Sequence, residues 1–75
     1  MPNIDHHHDQ TTLAALVSLG APGDAYTLAR RAGLTVPESG RALMRLHENE
    51  RVRCIDELGT VNDLAARFVP SSEPH

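Results

Sequence analysis

Between positions 30 and 45 the chain carries four arginines, Arg30, Arg31, Arg41 and Arg45, against one acid, Glu38. A guanidinium is a planar fork of donors that keeps its charge, so it pairs bidentately with phosphate oxygens or with the O6 and N7 edge of guanine. Thr35 and Ser39 stand in the same stretch and add hydroxyl donors of the kind that meet phosphate beside the N–H groups of a helix start. Chemistry of this type is binding, not turnover. The remaining reactive side chains point the same way. Cys54 is the lone cysteine, lacks an evident base partner, and reads as packing within a half-buried strand. His47 reads as a core-edge histidine held by a carbonyl or carboxylate. His6, His7 and His8, flanked by Asp5 and Asp9, could offer imidazoles to a transition metal, but adjacent histidines on a mobile arm are not a preorganised site. Tyr26 is either a phosphate-contacting hydroxyl or an exposed ring covering the first turn of its helix. No catalytic residue, metal or cofactor is expected.

The arginines must be positioned by helices. The stretch from Leu34 to Arg51 reads as a capped amphipathic helix over 36–49: Thr35 as N-cap and Glu38 three residues later form a capping box, and Pro37 falls in the first turn, where its missing N–H costs nothing. At 100° per residue, Val36, Gly40, Leu43, Leu46 and His47 gather on one side, which predicts the buried face. Glu38, Arg41, Arg45 and Glu48 gather on the other. Upstream, Asp24 can cap a shorter helix over 25–32, closed by Gly33. Its inner face of Ala25, Leu28, Ala29 and Ala32 is mostly small and lets two helix axes approach closely. Only Gly33, Leu34 and Thr35 separate the two, so they must cross steeply, as in a helix-turn-helix. Arg30 and Arg31 leave from the outer flank of the first.

Asp9 is a plausible N-cap for a helix running to Leu19, with Leu13, Leu16 and Val17 inward and Gly20 ending it. Ala21-Pro22-Gly23 reads as a break. After the arginine-bearing helix, 51–56 and 65–69 are β-prone runs joined by a loop over 57–63, which makes a hairpin with Val52, Cys54 and Phe68 pointing back at the helices. The expected organisation is a disordered arm over 1–8, one domain over 9–70, and a frayed tail over 71–75. The fold class is therefore mainly α with a small β-hairpin (α+β), a three-helix core plus wing.

Composition sets outer bounds. Seventy-five residues with one Phe, one Tyr and no Trp make a single small domain whose core must be aliphatic. One cysteine cannot close an intramolecular disulfide, and no charged n-region followed by an apolar h-region opens the chain, so a cytoplasmic setting is expected. No apolar run approaches the ~20 residues that a membrane span requires. The net charge of −3 argues mildly against nucleic acid, yet it is unevenly placed: −3 over 1–27, +3 over 28–45 and −3 over 46–75. All net positive charge sits on the second and third helices.

The order helix, helix, helix, hairpin from Leu13 to Val69 resembles the winged-helix DNA-binding domains of bacterial regulators in the MarR, ArsR and GntR broad group. Thr27-Leu28-Ala29-Arg30-Arg31-Ala32-Gly33-Leu34 is similar to the family's second-helix phrase, in which Leu-Ala-x-x-x-Gly-Leu packs against the first and third helices. The stretch Thr35 to Glu48 resembles the recognition helix that follows, with Leu43 and Leu46 at its core positions, and Arg51-Val52-Arg53 stands where the first wing strand begins. Three features depart from the pattern. Asn49-Glu50-Arg51 replaces the usual glycine after the third helix, the wing loop carries Glu57 and Asp63 in place of basic residues, and there are no long flanking helices to make a dimer seam.

The resemblance implies a transcriptional regulator whose third helix enters the major groove of double-stranded DNA. Thr35, Glu38, Ser39, Arg41, Ala42 and Arg45 would then face the DNA, with Arg30 and Arg31 beside phosphates. With an acidic wing, a monomer would bind weakly, and a homodimer or protein partner would supply the remaining affinity. The competing expectation is a winged-helix protein-interaction module, an adaptor or a phage or host regulatory factor, that does not bind DNA by itself.

Overall fold

Thr35 and Glu38 satisfy each other's backbone at the start of the third helix: the Glu38 N–H donates to Thr35 Oγ1 at 3.2 Å, and the Thr35 N–H donates to Glu38 Oε1 at 3.0 Å. With Pro37 in the first turn, this capping box opens a helix over Val36–Glu48. The second helix, Ala25–Ala32, is equally local in origin: Asp24 accepts the Thr27 N–H at 2.8 Å, and Gly33 closes it at φ 74°. The structure, a computed structural model, describes residues 4–56 and 64–71. In chain order its elements are α1 (Ile4–Leu19), α2 (Ala25–Ala32), α3 (Val36–Glu48), β1 (Val52–Cys54) and β2 (Phe68–Pro70). Three helices and an antiparallel hairpin thus make the mainly helical α+β arrangement expected from the sequence.

The hairpin pairs Val52 with Pro70, Arg53 with Val69 and Cys54 with Phe68. A third, one-residue strand joins it. Gly23 donates its N–H to the Phe68 carbonyl at 3.0 Å and accepts the Phe68 N–H at 2.8 Å. The segment read as a simple break is therefore also a sheet edge. The fit at Gly23 is close: a Cβ would stand 2.9 Å from Leu19 Cδ2 and 3.2 Å from Leu28 Cδ2, so a side chain there makes those leucine methyls shift. This bridge ties the α1–α2 turn to the hairpin. Between them lies a core of Leu16, Leu28, Leu43, Leu46, Val52 and Phe68, all buried. Each such side chain contributes about 1.5–3 kcal/mol of transfer free energy.

α1 departs most from expectation. It begins at Ile4, so Asp9 lies inside the helix and does not cap it, and residues 4–8 are helical where an arm was expected. Val17, expected inside, is 59% exposed, whereas Thr12, Ala15 and Leu16 are buried. The cause is an apolar second half with no clear 3.6-residue period, so the sequence does not mark which face meets the core. At the other end, Pro70 belongs to β2, and the Ser71 N–H donates to the Arg51 carbonyl at 2.9 Å, which extends the ordered pairing into the expected tail. The expected loop over 57–63, with Glu57 and Asp63, lies outside the described residues.

α3 ends without glycine, as the sequence requires, and its backbone shows how. The Arg51 N–H returns to the Leu46 carbonyl at 2.8 Å and the Glu50 N–H to the His47 carbonyl at 3.0 Å, the pair of bonds of a Schellman motif. Glu50 takes the left-handed position at φ 61°. An L side chain there is disfavoured by roughly 1–2 kcal/mol.

Candidate nucleic-acid interface

The eight residues that the sequence assigns to DNA contact fall into three environments. Arg30, Arg31 and Arg41 are exposed. Arg30 and Arg31 line, with Thr27, a shallow concavity of about 270 Å³ on α2. The Arg31 Nη2 donates to Ser18 Oγ of α1 at 3.3 Å, which steers that guanidinium toward the end of α1. Two guanidinium groups and a threonine hydroxyl around one hollow form a donor set suited to an oxyanion.

Thr35 and Glu38 are committed to the cap of α3. The Glu38 carboxyl is held below the usual carboxylate range, chiefly by the Thr35 backbone N–H, with the Thr35 side chain and the nearby charges of His8 and Arg41 acting in the same direction. It is therefore ionised and already occupied. A carboxylate in this position accepts from a base amino group but repels a phosphate.

Ser39, Ala42 and Arg45 correct the expectation. Ser39 and Ala42 are fully buried, so neither reaches a groove. Arg45 is half-buried and held by α1: its Nε donates to both carboxylate oxygens of Asp9, at 3.0 and 3.2 Å, and its Nη2 stands 2.8 Å from Asp9 Oδ1. The same Nη2 lies 3.5 Å from the Asp5 carbonyl and 3.9 Å from the Asp5 carboxylate. The hydrogen bond that Arg45 donates to Asp9 raises the Arg45 pKa further above its ordinary value. For Arg45 the cause is α1, which packs against α3 and brings Asp9 to the guanidinium. Ser39 and Ala42 lie on the face of α3 turned into the packed interior. The buried face is Ser39, Ala42, Leu43 and Leu46, rotated from the expected one, with Val36, Gly40 and His47 only half-buried.

Asp5 and Asp9 are the partners of Arg45 that the sequence reading missed. Their i, i+4 spacing was the signal, since it aligns two carboxylates on one helix face, but it signifies only if the helix extends back to Ile4. Thr27 was missed as the companion of Arg30 and Arg31. His47 sits edge-on to the Phe68 ring, with centroids 6.0 Å apart, which places it at the core edge. Among the described residues no group of three or more His, Cys, Asp or Glu side chains is placed to hold a metal ion. No helix there is long and apolar enough to cross a membrane. No protein-family model, curated protein or solved structure matches the chain.

Proposed function

We propose that the chain is a winged-helix module of a transcriptional regulator, binding double-stranded DNA weakly as a monomer through the outer flank of α2 and the Arg41 side of α3. The observation that carries this reading is the element order, with Arg30, Arg31 and Arg41 exposed on the two helices that a helix-turn-helix turns toward DNA. The Gly23 bridge to Phe68 adds a short strand between the first two helices, which closes the helical part onto the hairpin as a winged helix does. Thr27, Arg30 and Arg31 meet the phosphate backbone, and Arg41 lies nearest the groove. Phosphate contacts of this kind set affinity and register without reading sequence.

The experiment is a fluorescence anisotropy titration of a random-sequence duplex at roughly 20 and 150 mM salt, where screening differs most. The expected result is binding that weakens with a log–log salt slope of about −0.9 per phosphate contact, hence roughly −3 for three arginines. The variant Arg30→Ala/Arg31→Ala/Arg41→Ala loses it. Equal binding by that variant, or no binding by the parent at low salt, overturns the reading.

A second reading has its own support. A groove of about 710 Å³ beside the end of α3, lined by His47, Glu48, Glu50, Val52, Arg53 and Ser71, offers charges of both signs and suits a polypeptide segment more than a polyanion. A protein-interaction adaptor would use this groove and leave Arg30, Arg31 and Arg41 solvated.

A further inference from the structure

Arg45 stands on the helix that the proposed function turns toward DNA, yet it is the arginine of that helix with a short, two-point ion pair. Its partner Asp9 lies 36 residues away in sequence, on a different element. The carboxylate meets the Nε and Nη2 side of the guanidinium, the geometry with which a phosphate would otherwise engage it. Both side chains are largely withdrawn from solvent, Asp9 at 19% and Arg45 at 29% exposed, so the pair is less screened than one on the open surface. Asp5 adds a second negative charge 3.9 Å away. One cation between two anions is a net negative cluster. A polyanion approaching α3 at Arg45 therefore meets repulsion where the sequence alone promises attraction.

Resting on the DNA-binding reading, we propose that the first turns of α1 are an autoinhibitory clasp: Asp9, supported by Asp5, occupies Arg45 in place of a phosphate and withholds it from polyanions. Opening the clasp adds a contact, and α1 thereby sets the affinity of α3. The clasp need not be symmetric in its effects. Loss of Arg45 removes no polyanion contact while the clasp is closed and weakens binding only through the change in net charge, whereas loss of Asp9 strengthens it. A purely structural ion pair behaves differently, since removing either partner would only loosen the fold.

The test uses the full chain as parent, Asp9→Asn, Arg45→Gln, and Asp9→Asn/Arg45→Gln, with Glu50→Gln as a control that makes the same change in net charge elsewhere. Heparin retention and duplex affinity are measured for each, and thermal melts check that each is folded. Expected is an Asp9→Asn variant bound on the order of fivefold more tightly than Glu50→Gln, with a salt slope steeper by about 0.9. The gain disappears in the Asp9→Asn/Arg45→Gln variant. If Asp9→Asn binds heparin no better than Glu50→Gln, or if its gain survives without Arg45, the clasp is wrong. If the gain appears on heparin while duplex DNA is ignored by every variant, the clasp stands and the DNA-binding reading falls. Should Asp9→Asn fail to fold, Asp5→Asn measured against the same control replaces it, with a smaller gain expected and equality with the control overturning the proposal.

Discussion

α3 and α1 pack against each other, but they reach their places by different routes. α3 carries its own instructions: a capping box, a proline in the first turn and an apolar face with a helical period. α1 has an apolar second half without a clear period, so its buried face is decided by what it meets. Thr12, Ala15 and Leu16 turn inward beneath α3, and Asp9 reaches Arg45. The contrast extends to charge. Arg30 and Arg31 keep the exposure that their own helix gives them, whereas Arg45 loses most of its exposure to a neighbour far away in sequence. Local sequence decides where a side chain starts from, and tertiary packing decides whether it is accessible.

Five substitutions bear on that contrast. The largest effects fall in the shared core. Leu43→Ala on α3 and Leu16→Ala on α1 each remove a buried leucine and cost about 2–5 kcal/mol, enough to unfold much of so small a domain. Thermal melts of both variants check this. Comparable losses show that α1 is as integral as α3 despite its weak local signals, and a native melt for Leu16→Ala would demote α1 to an appendage. Next comes Asp9→Ala, which leaves Arg45 unpaired and removes charge-assisted hydrogen bonds. With both partners only partly exposed, the expected cost is about 1–2 kcal/mol. Amide exchange should speed up in the first turns of α1 and remain slow in α3, whose cap is its own. Smallest is Glu50→Gly, which relieves an L residue at φ 61° and raises stability by roughly 0.5–1 kcal/mol. Gly33→Ala, the same kind of position at the end of α2, has the opposite sign.

These expectations also mark what the sequence conveys. Asp24, Gly33, Thr35, Pro37 and Glu38 act within three or four residues of the backbone they organise, so α2 and α3 were legible nearly to the residue. The Gly23 strand was not, because it pairs with Phe68, 45 residues on, and a one-residue strand has no period to read. In the candidate interface, the exposure of Arg30, Arg31 and Arg41 followed from helical phase. The burial of Ser39 and Ala42 did not. Small residues suit either a surface or a close helix contact, and only the tertiary packing around α3 chooses between them. Ser39 and Thr12 show the same choice from inside, for both hydroxyls are buried without a hydrogen-bond partner among the described residues. A serine or threonine there gives no sequence signal of burial.

DNA binding by this surface requires accessible guanidinium groups, which side-chain NMR measures. The Nε–H resonances of Arg30, Arg31, Arg41 and Arg45 are followed while a random-sequence duplex is titrated into the full chain at low salt. Arg30, Arg31 and Arg41 are expected to shift together and to return when salt is added, while Arg45 stays at its Asp9-bonded position. An Arg45 resonance that moves in step with the others, or three exposed arginines that do not move at all, would contradict this expectation.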